Sequence, residues 1–135
     1  MPGSEIRKAI NNDEDPRFSM AQILKVAAMH RVTDTYGPIP YLNFGVSKEV
    51  PYDSQRMFIT DSLKNLDGAI NNLDSYAASG SKVLSSWDCV FNGDVTSWIK
   101  FANSLRLRLA LHLAYVDETK GKKVKPNWLL AIVMD

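Results

Sequence analysis

At 135 residues the chain is one domain or part of one, large enough to bury a core, and its apolar share of 45% is ordinary for a globular protein. A net charge of +1 provides no broad field to gather nucleic acid or anionic lipid. The single cysteine, Cys89, excludes an internal disulfide and a cysteine-rich metal site, and no run of about 18 apolar residues is present to span a membrane. The opening MPGSEIRKAI lacks the apolar core of a signal peptide. Either the protein is cytoplasmic or an export signal lies outside this sequence.

Residues 1–18 read as a polar arm, with Asn11 to Pro16 breaking any early helical turn. The first main helix is expected over about 19–36. Ser19 is its N-cap, with Gln22 as capping-box partner, and Met20, Ile23, Leu24, Ala27, Ala28 and Val32 form its apolar face. Gly37-Pro38 stops it, and Pro38-Ile39-Pro40-Tyr41 must run stiff and extended. After a loop over 42–51, a second helix is expected over about 54–76, capped by Asp53. Its stripe is Phe58, Ile59, Leu63, Leu66, Ala69, Ile70 and Leu73, and its wet face carries Asp61, Lys64, Asn65, Asp67, Asn71 and Asn72.

Residues 77–94 read as a long loop, a kind of segment that often carries function. Its Trp87, Val90 and Phe91 either plug the core or face a ligand. In the next stretch two periods compete. From Leu105 to Leu113 every second residue is leucine, the alternation of a half-buried strand. Leucine, alanine and arginine are nevertheless strong helix formers, the run has no β-branched residue, and Val95, Trp98, Ala102, Leu105, Leu109 and Leu113 recur at three- and four-residue steps. Asp94 is well placed as N-cap. A third helix over about 95–116 follows, apolar over so wide an arc that burial on more than one side is expected. Beyond it come a basic linker with Lys120, Lys122, Lys123 and Lys125, and the apolar run Trp128 to Met134, read as the start of a further helix. The domain reading is therefore an arm over 1–18, a helical domain over 19–117, and a linker with a truncated apolar helix over 118–135.

No residue set points to catalysis. His30, His112 and Cys89 lack the further ligands that a metal site needs, and no base is set beside a nucleophile. Asp53, Asp88 and Asp94 look like cap or turn residues. Arg106 and Arg108 lie about 200° apart on a helix and form no common patch, so Arg106 is expected to pair with an acidic residue of a neighbouring helix, such as the first. The catalytic, cofactor and metal expectations are all none. Sugars stack on flat aromatic faces with polar groups at the rim. Trp87, near Asp88 and Asn92, fits that description, as does Tyr41 with Asn43 nearby.

Three blocks carry a family resemblance. The first runs from Ala21-Gln22-Ile23-Leu24-Lys25 through His30 to Tyr36-Gly37-Pro38-Ile39-Pro40-Tyr41. The second is Pro51-Tyr52-Asp53-Ser54-Gln55, with Leu63, Leu66, Ala69, Ile70 and Leu73. The third is Gly93-Asp94, then Trp98 and Lys100 through Ala110. Over about residues 20–117 the sequence resembles the SusD/RagB family of outer-membrane glycan-binding lipoproteins of Bacteroidetes. The resemblance implies an all-α fold with incomplete tetratricopeptide-like helical layers of SusD type. It implies a non-enzymatic role, capturing an oligosaccharide or polysaccharide at the cell surface for a SusC-like, TonB-dependent outer-membrane transporter, with no nucleic acid involved. No lipobox cysteine precedes this chain and family members are several times longer, so a fragment is expected. The alternative is a helical protein-interaction scaffold that binds no sugar.

Overall fold

The structure, a computed structural model, describes residues 14–116. It is all-α: helix α1 spans Pro16–Tyr36, α2 Gln55–Ala78 and α3 Val95–Val116. Among the described residues the only β pairing is an isolated antiparallel bridge between Ile39 and Asp53. The leucine alternation of α3 is therefore an accident of composition, and the three- and four-residue steps govern. The chain divides into two compact units, Met1–Ala69 and Ile70–Asp135, with the boundary falling inside α2. The basic linker and the terminal apolar run expected from the sequence lie outside the described residues.

In the first unit α1 begins three residues earlier than Ser19. Asp15 is the N-cap: its carboxylate accepts from the Arg17 N–H at 2.8 Å, and Pro16 occupies the first helical position, where its missing donor costs nothing. The proline expected to end the polar arm thus starts the helix. Ser19 is instead fully buried, on a stripe of Ser19, Ile23, Val26, His30 and Thr33. Leu24 and Val32, expected on the apolar face, are exposed, as is Ala28. Helical geometry fixes the buried face, and here three polar residues lie on it. At the far end Gly37, at φ 75°, donates to the Thr33 carbonyl at 2.8 Å, and the Thr33 hydroxyl returns a bond to the Gly37 carbonyl at 2.7 Å. Positive φ is the reason glycine stands there.

The first part of α2 buries Phe58, Ile59, Ser62, Leu66 and Ala69, close to the expected stripe, with Ser62 in place of the half-buried Leu63. Asp53 is not its cap. Ser54 is: its hydroxyl accepts from the Met57 N–H at 3.3 Å and its carbonyl from the Phe58 N–H at 3.0 Å.

The second unit holds the last turns of α2, the loop 79–94 and α3. Asp94 caps α3 as expected, its carboxylate accepting from the Ser97 N–H at 3.1 Å. Val95, Trp98, Ala102, Leu105, Leu109, Ala110 and Leu113 are buried. Burial on more than one side is not observed: Leu111 is 47% exposed and Leu107 only half-buried. Leu105, Leu109 and Leu113, four residues apart, lie in the core, and the intervening Leu107 and Leu111 lie off it. Arg106 donates to Asn103 Oδ1 at 3.2 Å within its own helix.

Candidate functional site: an aromatic loop before the third helix

Two segments carry the aromatic and polar residues that sequence reasoning selected, one in each unit. In the first unit, residues 37–55 form a clasp. The backbones of Ile39 and Asp53 exchange two hydrogen bonds, at 3.2 and 2.9 Å. The Asp53 carboxylate, buried, accepts from the Tyr41 N–H at 3.0 Å and the Leu42 N–H at 2.7 Å. Gln55 reaches back to Asp34 of α1 at 3.1 Å. The proline pair makes this possible. Held extended, the strand-like exit of α1 presents two successive N–H groups to one oxygen, and proline leaves no donor unmet at 38 and 40.

Tyr41 sits inside this clasp. It is 1% exposed, its ring meets Phe58 edge-to-face at 4.8 Å, and the Lys25 ammonium lies 4.5 Å above its face. Burial pushes the Lys25 ammonium to a lower pKa, with Asp61 partly opposing that shift. Both the packing and the cation occupy the surfaces a sugar would need. Tyr41 is therefore a core residue, and the reading of it as a sugar platform is corrected. Asn43 is exposed on the loop beyond.

In the second unit the loop 79–94 is closed by its own hydrogen bonds. The Val83 N–H donates to the Gly93 carbonyl at 3.1 Å, across ten residues of chain. Gly93, at φ 77°, is packed so closely that a Cβ there would stand 2.5 Å from the Val83 carbonyl oxygen. Leu84, at φ 55°, opens a single turn in which Trp87 and Asp88 both donate to its carbonyl at 2.8 Å.

Asp88 is the hub. One carboxylate oxygen accepts from the Val90 and Phe91 N–H groups at 2.9 and 3.2 Å. The other accepts from the Gly93 N–H at 2.9 Å and from the Trp98 indole at 2.7 Å. Burial alone would raise its pKa, but the four donors together outweigh that and hold the carboxyl below the usual aspartate range. With both oxygens engaged, Asp88 organises the loop.

Aromatic packing completes the module. Phe91 meets Trp98 edge-to-face at 5.2 Å, and Phe101 lies beside both. Phe91, half-buried, thus packs inward against the buried Trp98. Trp87 does not: it is 85% exposed, next in sequence to the anchored Asp88. Asn92 is exposed as well, at φ 52°. The structure brings Trp87, Asp88 and Asn92 onto one loop. Tyr41 and Asn43 belong to the other unit and stand apart from this loop in the chain.

Comparison with known proteins decides the kinship. The SusD-like family model, Susd and RagB outer membrane lipoprotein, matches residues 2–129. The chain belongs to the SusD-like family. Its fold is similar to a SusD homolog from Bacteroides uniformis at 38% identity and a TM-score of 0.77, covering 93% of this chain and 26% of that one. A chitin-binding SusD homolog from Flavobacterium johnsoniae aligns at 35% identity with a TM-score of 0.84, over 93% of this chain and 27% of that one. A SusD-like protein from Bacteroides thetaiotaomicron aligns at 30% identity with a TM-score of 0.80, over 90% and 26%. The chain thus spans about a quarter of the length of these SusD-like structures. No protein of curated function matches it.

The three sequence blocks that carried the SusD-like resemblance now have physical roles. The tyrosine-glycine-proline-isoleucine-proline-tyrosine exit and the Tyr52-Asp53-Ser54-Gln55 start are the two halves of one clasp. The Gly93-Asp94 and Trp98 block closes the aromatic loop and caps α3.

Proposed function

We propose that this SusD-like chain contributes a glycan-contacting surface to a carbohydrate uptake system of the outer membrane. Its contact residue is Trp87, with Asn92 on the same loop. The observation that supports this is an indole 85% exposed on a loop whose backbone is hydrogen-bonded on both sides of it. Leaving so large an apolar surface in water has a cost, and a sugar's C–H face is a partner that would offset it. The family's description as outer membrane lipoproteins and the chitin-binding relative favour a polysaccharide ligand at the cell surface. In the whole protein the glycan would pass to a SusC-like, TonB-dependent transporter, with binding rather than catalysis as the role. No helix among the described residues is long and apolar enough to cross a membrane.

The test is a titration of the 135-residue chain with a panel of oligosaccharides that includes chitin fragments, following tryptophan emission. A saturable shift for one glycan class, lost in Trp87→Ala, supports the reading; no response from a folded chain contradicts it. The second reading, an interaction scaffold without sugar binding, draws on the exposed Phe44, Val46 and Tyr52 of the first unit. Apolar side chains of that size in one exposed loop suit contact with protein. That reading predicts no response to any sugar.

A further inference from the structure

The loop 79–94 poses a problem of its own. An exposed indole lies a few residues from an apolar cluster of Phe91, Trp98 and Phe101. A flexible loop of this length would fold the indole onto that cluster, since burying apolar surface is favourable. Something must oppose the collapse, and the hydrogen bonds identify it. Leu84 at φ 55° starts a turn that fixes the Trp87 and Asp88 amides on one carbonyl. Immediately after Trp87, Asp88 ties the chain down through Val90, Phe91, Gly93 and the Trp98 indole. Asn92 closes the ring by donating to the Asp88 carbonyl at 3.1 Å. The same carboxylate that draws Phe91 and Trp98 together therefore sets the direction in which the preceding residue projects.

We propose that Asp88 is a positioning residue: it holds Trp87 outward and ordered before any ligand arrives, so that binding need not pay for ordering the indole. This rests on the reading of Trp87 as the glycan contact. Both carboxylate oxygens are required, because each serves a different pair of donors. An asparagine in the same place offers one acceptor, and its NH2 group faces two donors. Asp88→Asn is thus as disruptive as Asp88→Ala, the opposite of an N-cap aspartate, where asparagine substitutes well.

The experiment compares 15N-labelled wild type, Asp88→Asn and Asp88→Ala by heteronuclear NOE and by glycan titration. The expected result is that the Trp87 amide and indole signals pass from rigid to mobile in both variants while those of α3 from Ala102 on stay rigid. Glycan affinity falls about three- to tenfold, the scale of ordering one side chain on binding. If Asp88→Asn does not fold, Trp98→Phe removes one of the four donors while keeping an aromatic ring against Phe91. It is expected to give the same loss in smaller measure. An unchanged Trp87 NOE in these variants, or an asparagine variant that behaves as wild type, overturns the proposal. Wild-type affinity in Trp87→Ala would instead sink the glycan reading, while the NOE comparison still decides what Asp88 does to Trp87.

Discussion

Substituting Asp53 separates the clasp from a helix cap. One carboxylate oxygen, Oδ2, accepts two backbone N–H groups, from Tyr41 and Leu42, across a loop of eleven residues. Hydrogen bonds to a charged acceptor contribute about 1.5–3 kcal/mol each. The Tyr41 bond is buried and leaves an unmet donor when lost, whereas the Leu42 N–H is partly exposed and water replaces its partner. Asp53→Ala is therefore expected to destabilise the chain by about 2–4 kcal/mol, near the upper half of that scale for one bond plus a fraction of the second. Asp53→Asn keeps an acceptor that can occupy the Oδ2 position and loses only the charge, so it costs about 1 kcal/mol. Urea denaturation followed by circular dichroism at 222 nm measures both, provided the m-values agree. Ser54→Ala, which removes the real cap, costs about 0.5–1 kcal/mol. An Asp53→Ala effect under about 0.5 kcal/mol, the range of ordinary surface changes, refutes the clasp.

Three further outcomes follow from the packing. Gly93→Ala combines a positive φ with a Cβ 2.5 Å from the Val83 carbonyl and loses at least about 2–3 kcal/mol, whereas Gly80→Ala, at φ 66° in open space, loses only about 1; paired thermal melts distinguish them. Leu109→Ala, at a fully buried position, costs about 2–5 kcal/mol, while Leu111→Ala stays within about 0.5 of wild type; equal losses would contradict the one-sided stripe of α3. Stability is also acid-sensitive. Asp15, Asp88 and Asp94 all have depressed pKa values: Asp15 chiefly through the Arg17 side chain, Asp94 chiefly through the Ser97 hydroxyl, and Asp88 through donors that overcome its burial. A depressed carboxyl stabilises fully above its unfolded pKa and loses that contribution as pH falls through the folded value. The melting temperature should hold from neutrality to about pH 5 and drop below about pH 4, and a rise on acidification would contradict the assignment.

Much of this was legible in the sequence, and the exceptions share a cause. The three helices follow from hydrophobic spacing, glycine-proline punctuation and the Asp94 cap. That spacing also settled the leucine alternation correctly in favour of helix. What failed were inferences that treated residue type as a guide to environment. Leu24, Val32 and Leu111 are apolar and exposed, while Ser19, His30 and Thr33 are polar and buried. A helix face is fixed by what it packs against, and the sequence does not show that. Asp53 looked like a cap because caps are local; its real partners lie eleven and twelve residues away. The proline pair was the available clue, since an extended segment free of donors at two positions invites pairing with another strand. Tyr41 and Trp87 carried the same aromatic signal. Only the bridge between Ile39 and Asp53 and the turn at Leu84 send one inward and the other outward.

The most direct test of the glycan reading uses the three tryptophan indoles as separate reporters. A 15N–1H spectrum of the labelled chain, titrated with chitin oligosaccharides and with unrelated glucans, should show the Trp87 indole signal moving progressively and saturating for one glycan class. The buried Trp98 signal, held on Asp88, should stay in place. Trp87 fixed throughout every titration, or a response confined to Trp98, would contradict the account.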